Sequence, residues 1–385
     1  MRTPVILVAG QKDTDPVVGA LLRTPGTLVV EHRFDGHVVR RTTATLQHGV
    51  LTTAEAGLEL AHGCVSCTIR NDLLVLLRQL HRRDDIDRVV VHLAPWLEPE
   101  PICLAIENVR VRVAPGYVDG PAALDVSIAA VVTCVDASVW LSEALGDAGL
   151  DDGRTLAQVV VGQAEFADVV VLNRADPFVA GVLRRLSPRA RIHVGADGIE
   201  HALDNLFRDA RRGRSDDPHG PLLAGQPPLD SRGPINLFDF NARRPFHPQR
   251  LHACLDLLLE GVIRTRGRLW LASQPEQAMW LESAGGWIAG QFSWQMASRH
   301  DSSPTGRHRC RTTRICRAVL GCPARRSAHS DDRTGVRRAR GRNPRRPQRR
   351  AAHRRRASLP PGLGLLRRSV RRLARRPLRS PVRGH

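Results

Sequence analysis

The feature that most constrains this chain is a succession of short, wholly apolar runs, each followed by a helix-patterned stretch, through the first two-thirds of its 385 residues. Val5-Ile6-Leu7-Val8-Ala9 and Val169-Val170-Val171-Leu172 have no polar face. Strands of that kind must be covered on both sides, which is the requirement of a mainly parallel sheet between two helical layers. Strands are therefore expected at residues 5–9, 26–31, 87–93, 126–136, 167–173 and 192–194. Helical patterns begin at residue 17 and cover residues 54–61, and a leucine-rich helix around 73–80 has Asn71 and Asp72 suited to opening it. Open parallel sheets take ligands at the C-terminal edges of their strands. Gly10, His92, Asp136 and Asn173 fall at such edges.

Composition changes along the chain. Residues 211–234 are rich in Gly, Pro, Asp and Arg and read as a linker. Strand, helix and strand patterns follow at 235–240, 248–260 and 262–272, the start of a small α+β domain. The formal charge of +20 belongs to the tail: residues 291–385 carry 28 basic and 3 acidic side chains, so the body is mildly acidic. A body of that charge has no global signature of nucleic-acid binding. No Phe, Trp or Tyr follows Trp294, so the tail is expected to be disordered. It reads either as an Arg-rich arm for RNA or DNA or as an out-of-frame segment that leaves the second domain incomplete. No leader or membrane-length apolar run is evident, and an early strand predicts a cytoplasmic protein with reduced thiols.

The chemistry-bearing stretch is His62-Gly63-Cys64-Val65-Ser66-Cys67. Two thiolates three residues apart on a Gly-led turn can face one soft cation such as zinc, and a helix N-terminus favours their ionised form. His62 is the adjacent third candidate ligand, with His32, His37 or His48 on nearby segments. Zinc takes four ligands in structural sites and three plus water in open ones, so a two-thiolate site suits exchange. Cys103, Cys134 and Cys254 lie in apolar patterns and read as small core residues. His247 and His252 read as fixing a local turn, and Trp270 and Trp280 as core.

Several ordered motifs resemble the CobW-like branch of P-loop GTPases. Gly63-Cys64-Val65-Ser66-Cys67-Thr68-Ile69-Arg70-Asn71-Asp72-Leu73 is similar to its Gly-Cys-x-Cys-Cys-Thr-x-Arg-x-Asp-Leu metal motif, with Ser66 at the middle cysteine. Val131-Val132-Thr133-Cys134-Val135-Asp136-Ala137 resembles its strand ending in Val-Asp-Ala. Asn173-Arg174-Ala175-Asp176 is similar to its guanine-reading Asn-Lys-x-Asp, with arginine for lysine. Residues 242–252, 266–272 and 284–286 resemble its C-terminal domain. The likeness spans about residues 4–288 and is nearest an actinobacterial subgroup that includes a zinc-starvation protein recruiting a ribosome hibernation factor.

The resemblance implies a P-loop GTPase-like α/β domain at 1–210, a linker at 211–234, a truncated CobW-type domain at 235–290 and the tail at 291–385. It implies zinc at Cys64, Cys67 and His62, with GTP and Mg at Gly10, Lys12, Asp136, Asn173 and Asp176. The phosphate loop departs from the pattern. A Gly-x-x-x-x-Gly-Lys-Ser/Thr loop exposes amides and supplies a lysine and a hydroxyl. Here Gly10-Gln11-Lys12-Asp13-Thr14-Asp15-Pro16-Val17 puts Asp15, Pro16 and Val17 at the last three positions. A carboxylate beside phosphate and a missing amide oppose triphosphate binding, so hydrolysis is expected to be weak or absent. The implied function is zinc homeostasis, as a metallochaperone or zinc-responsive factor with a degraded switch. Alternatives are a non-catalytic adaptor for the ribosome, a hibernation factor or a zinc-dependent client, and nucleic-acid binding through the tail.

Overall fold

The computed structural model describes residues 1–215, 227–230, 235–255, 259–285 and 313–320. The first sheet contains β1 (Thr3–Gly10), β2 (Thr27–Phe34), β3 (Val39–Gln47), β4 (Val50–Leu58), β5 (Arg88–His92), β6 (Val126–Val135), β7 (Val169–Leu172) and β8 (Arg191–Val194). Their order is β4-β3-β2-β5-β1-β6-β7-β8. The pairs β2–β5, β5–β1, β1–β6, β6–β7 and β7–β8 are parallel. The helices are α1 (Thr14–Leu22), α2 (Val65–Leu80), α3 (Pro99–Asn108), α4 (Trp140–Leu145), α5 (Leu156–Phe166), α6 (Pro177–Leu186) and α7 (Ile199–Asp204).

The two-residue period of β1 divides the core. Val5, Leu7 and Ala9 face the cluster containing Leu73, Leu77 and Ile106 of α2 and α3, whereas Ile6 and Val8 meet Val17, Leu21 and Ile199 of α1 and α7. All five are essentially inaccessible to solvent. This is the two-sided burial that their apolar run demands.

The helix expected over 54–61 is not formed. Residues 50–58 are β4, the outer strand of an antiparallel β3–β4 hairpin, with register from Val39↔Leu58 to Gln47↔Val50. His48 and Gly49 close it with φ of 51° and 79°, the two left-handed residues that a tight hairpin turn requires. The apolar positions at 54–61 mimic a helical period, but pairing along β3 satisfies their backbone instead. The next helix also starts earlier than expected, at Val65 rather than near Asn71.

A second sheet, ordered β11-β10-β12-β9, contains β9 (Ile235–Ala242), β10 (Val262–Leu271), β11 (Gln274–Ala284) and β12 (Thr313–Leu320), with the short helix α8 (Pro248–His252) after β9. Phe240, Phe246, Leu251, Leu255, Leu269 and Leu281 form its own core. The opposite face meets the first unit, where Ile235, Ile263 and Ala284 join the cluster of α4, α5 and α6. Gly285 sits so close to Ala157 that a Cβ there would lie 2.6 Å from it.

The expectation of no order after residue 290 fails at β12, which pairs antiparallel with both β9 and β10 at the centre of this sheet. Ladder hydrogen bonds on both edges outweigh a composition poor in aromatics. Residues 211–215 and 227–230 of the expected linker form no helix or strand. The rest of the linker, the Trp280 side chain and the arginine clusters beyond residue 320 lie outside the described residues. No helix among the described residues is long and apolar enough to cross a membrane.

Candidate functional site

The cysteine turn is built by β4, a single 3-10 turn at Ala61–Gly63 and the start of α2. Gly63 has φ 70° with open space where a side chain would stand. Cys64 is the N-cap of α2: its Sγ accepts the Cys67 N–H at 3.2 Å. Thr68 ties the turn together, donating to the Cys64 carbonyl at 3.0 Å and accepting the Ala61 N–H at 2.8 Å. The hydrogen bond from the Cys67 thiol, then the Cys67 amide and the charge of Arg70, pull the Cys64 thiol below its ordinary value; the same bond raises Cys67. Both cysteines are half-buried. Burial pushes the Cys134 thiol up to about 12 and raises Cys103 further, so those two are inert core residues, as expected.

The remaining candidate ligands divide. The His62 side chain lies outside the described residues. His32 is buried and committed to Asp72 at 2.7 Å, and Asp72 also holds Arg41 at 2.7 Å. Asp72 therefore clamps α2 onto β2 and β3 instead of opening the helix. His37 sits in the β2–β3 turn and His48 at the hairpin tip. Among the described residues no group of three or more His, Cys, Asp or Glu side chains is placed to hold a metal ion. What the described residues offer zinc is a two-sulfur open turn.

At the C-terminal edge of the sheet, four of the five expected nucleotide residues lie near one another: Gly10, Lys12, Asp136 and Asn173. Gly10 has φ 149°, and a Cβ there would lie 2.6 Å from the Cys134 carbonyl, so only glycine lets β1 leave the sheet beside β6. Asn173 donates to Asp13 at 2.9 Å and to Asp136 at 3.0 Å and accepts the Ala137 N–H at 3.1 Å. Ser138, then Asn173 and the charge of Lys12, hold the Asp136 carboxyl below its usual range. Burial raises Glu143, partly offset by Lys12. Asp176 stands apart as the N-cap of α6, accepting the Phe178 and Val179 N–H groups at 2.9 and 3.0 Å.

The loop after β1 carries carboxylates and a proline where a phosphate cradle exposes amides. Asp13, in the left-handed region, opens α1 without a side-chain cap, and Asp15 and Pro16 occupy its first turn. Gln11, Lys12, Thr133, Asp136, Trp140, Glu143 and Gln163 line a cleft of about 10 Å³, room for one water. A group that sequence reasoning missed lies beside it. His92 Nε2 is 2.9 Å from the Thr14 hydroxyl and its Nδ1 is 3.2 Å from Glu31, which also binds Arg33. Burial raises Glu31, but the hydrogen bonds from His92 and Arg33 outweigh it and leave it lowered. The edge position of His92 was the available signal; its partners come from β2 and α1 and share no spacing with it.

Comparison with known proteins places this geometry. Residues 29–191 match the family model described as CobW/HypB/UreG, nucleotide-binding domain, and residues 235–316 match the cobalamin synthesis protein cobW C-terminal domain. The second match includes the start of β12. The chain is 67% identical to the zinc chaperone Rv0106 of Mycobacterium tuberculosis, over 77% of this chain and 76% of that protein. It is 27% identical to the zinc-regulated GTPase metalloprotein activator 1 of Dictyostelium discoideum, over 66% and 56% respectively. It is 30% identical to the zinc chaperone CobW of Pseudomonas aeruginosa, over 33% and 35%. With a mainly parallel sheet, a second four-stranded sheet and both family models matched in order, this chain belongs to the CobW family.

Proposed function

We propose that this protein handles zinc in the cytoplasm, as a metallochaperone or zinc-responsive factor, and carries the ion as cargo on Cys64 and Cys67 with His62 as a further ligand. One observation carries the reading: two half-buried cysteines share a single turn at the N-terminus of a 16-residue helix. Backbone amides and the helix dipole there favour thiolates, the form that binds zinc. Relatives named as zinc chaperones support it. Ser66 leaves two thiolates where the family motif has three, which favours a labile site suited to transfer. The nucleotide switch of residues 1–210 is degraded, because Asp15 and Pro16 oppose phosphate at the loop.

Calorimetry on the reduced full chain tests this. Zinc is expected to bind, Cys64→Ser and Cys67→Ser each to weaken it at least about tenfold, and magnesium–GTP to give no heat with or without zinc. Zinc binding unchanged by both substitutions would remove the reading.

The Asn173 bridge between Asp13 and Asp136 favours a second reading, an adaptor that keeps the GTPase shell for binding alone. A ribosome, a hibernation factor or a zinc-dependent client is the partner to look for. Co-purification from zinc-depleted cells that recovers none of these would end it.

A further inference from the structure

Cys64 is the N-cap of α2 and Cys67 the third residue inside it, so both thiols belong to the first turn of one helix. Both cysteines are half-buried, and they are joined through the Cys67 amide, which donates to Cys64 Sγ at 3.2 Å. Their settings differ. Cys64 has extended backbone, φ −104° and ψ 108°, and stands at the junction between the 3-10 turn of Ala61–Gly63 and α2. Beside it Gly63 leaves open space where a side chain would stand. Cys67 lies one turn inside. Ser66 between them carries no sulfur, so the turn can close only one disulfide.

We infer that this turn is a thiol–disulfide exchange site, whose substrate is a small disulfide of the oxidised-glutathione class. The Cys64 sulfur attacks one sulfur of the substrate, forming a mixed disulfide and expelling the first thiolate. The Cys67 sulfur then attacks Cys64, breaks the mixed bond and expels the second. The chain loses two electrons and its two thiol protons; the substrate disulfide gains both and leaves as two thiols. The inference goes beyond zinc handling and does not depend on it, although zinc on the same sulfurs would block the attack. Cys103 and Cys134 are buried and take no part.

The test exposes the reduced, zinc-free full chain to mixtures of reduced and oxidised glutathione, followed by acid quench, alkylation and peptide mass mapping. A peptide containing a Cys64–Cys67 disulfide is expected, its yield tracking the glutathione ratio and returning to zero in excess reductant. Neither Cys67→Ser nor Cys64→Ser keeps a resolving thiol, and the glutathione adduct should accumulate on Cys64 in the first roughly tenfold over the adduct on Cys67 in the second, because Cys64 is the attacking thiol. Circular dichroism of each variant confirms that the fold is retained. If both cysteines remain fully alkylated in excess oxidised glutathione, the inference is overturned; equal adducts in the two variants overturn the assigned order of attack and with it the site. A zinc-loaded arm separates the two readings. Exchange unaffected by zinc would leave this site standing and remove the cysteines from the zinc reading.

Discussion

At the scale of single residues, side chains whose type suggested one role serve another. Asp72 looked like a helix opener, and Asp136 and Asn173 looked like nucleotide contacts. The fold uses Asp72 to hold buried His32 and half-buried Arg41 from two other strands. It uses Asn173 to join Asp13 to Asp136. Such roles are invisible in a linear reading, because the partners are 31 to 160 positions away. Removing Asp72 leaves a buried imidazole and a guanidinium without their shared acceptor. Asp72→Ala is therefore expected to lower unfolding stability by about 2–3 kcal/mol, and Asp72→Asn by less, since one acceptor survives. Urea midpoints at neutral pH check both; a loss under about 0.5 kcal/mol for Asp72→Ala would show the clamp to be idle.

At the scale of elements, the apolar strands that run parallel were legible, since nothing but a two-sided core accommodates Val5 to Ala9 or Val169 to Leu172. The expected strands at 87–93, 126–136 and 192–194 are β5, β6 and β8 to within a few residues. The β3–β4 hairpin was not read. Its outer strand is largely exposed, so it lacks the alternation that a buried face imposes on sequence, and its helical-looking spacing went uncorrected. The turn pair His48–Gly49 was the signal that could have found it. α2 begins six residues before the position its leucines suggested, because the cap is a cysteine sulfur, outside the usual capping set.

At the scale of the whole molecule, the two sheets are joined by apolar packing and by a half-buried ion cluster. Arg264 of β10 is 2.9 Å from Glu165 at the end of α5 and also binds Glu282 of β11, while Arg266 is 3.0 Å from Glu282. Burial alone would raise the Glu165 carboxyl, but the charges of Arg264 and Arg266 outweigh it and hold it below its ordinary 4.5. A carboxyl with a depressed folded value contributes stability that is complete above the unfolded value. That contribution drains away as pH falls through the folded one. Glu165 should thus stabilise the junction fully above about pH 4.5 and progressively less below it. Glu165→Gln is expected to cost about 3 kcal/mol near neutrality. The gap between wild type and variant should narrow on acidification below pH 4.5, as read from melting curves. A gap independent of pH would contradict the assignment.

The sequence by itself determined the α/β class, the central apolar strands, the edge positions of Gly10, His92, Asp136 and Asn173, and the paired thiols on a Gly-led turn. Each follows from local chemistry: side-chain periodicity, the missing Cβ of glycine and the softness of sulfur. The three-dimensional fold alone sets that residues 50–58 pair as a strand, that residues 313–320 complete the second sheet, and that His92 meets Thr14 and Glu31. Those outcomes depend on which distant backbone or side chain arrives to satisfy a hydrogen bond, and no spacing along the chain encodes that arrival.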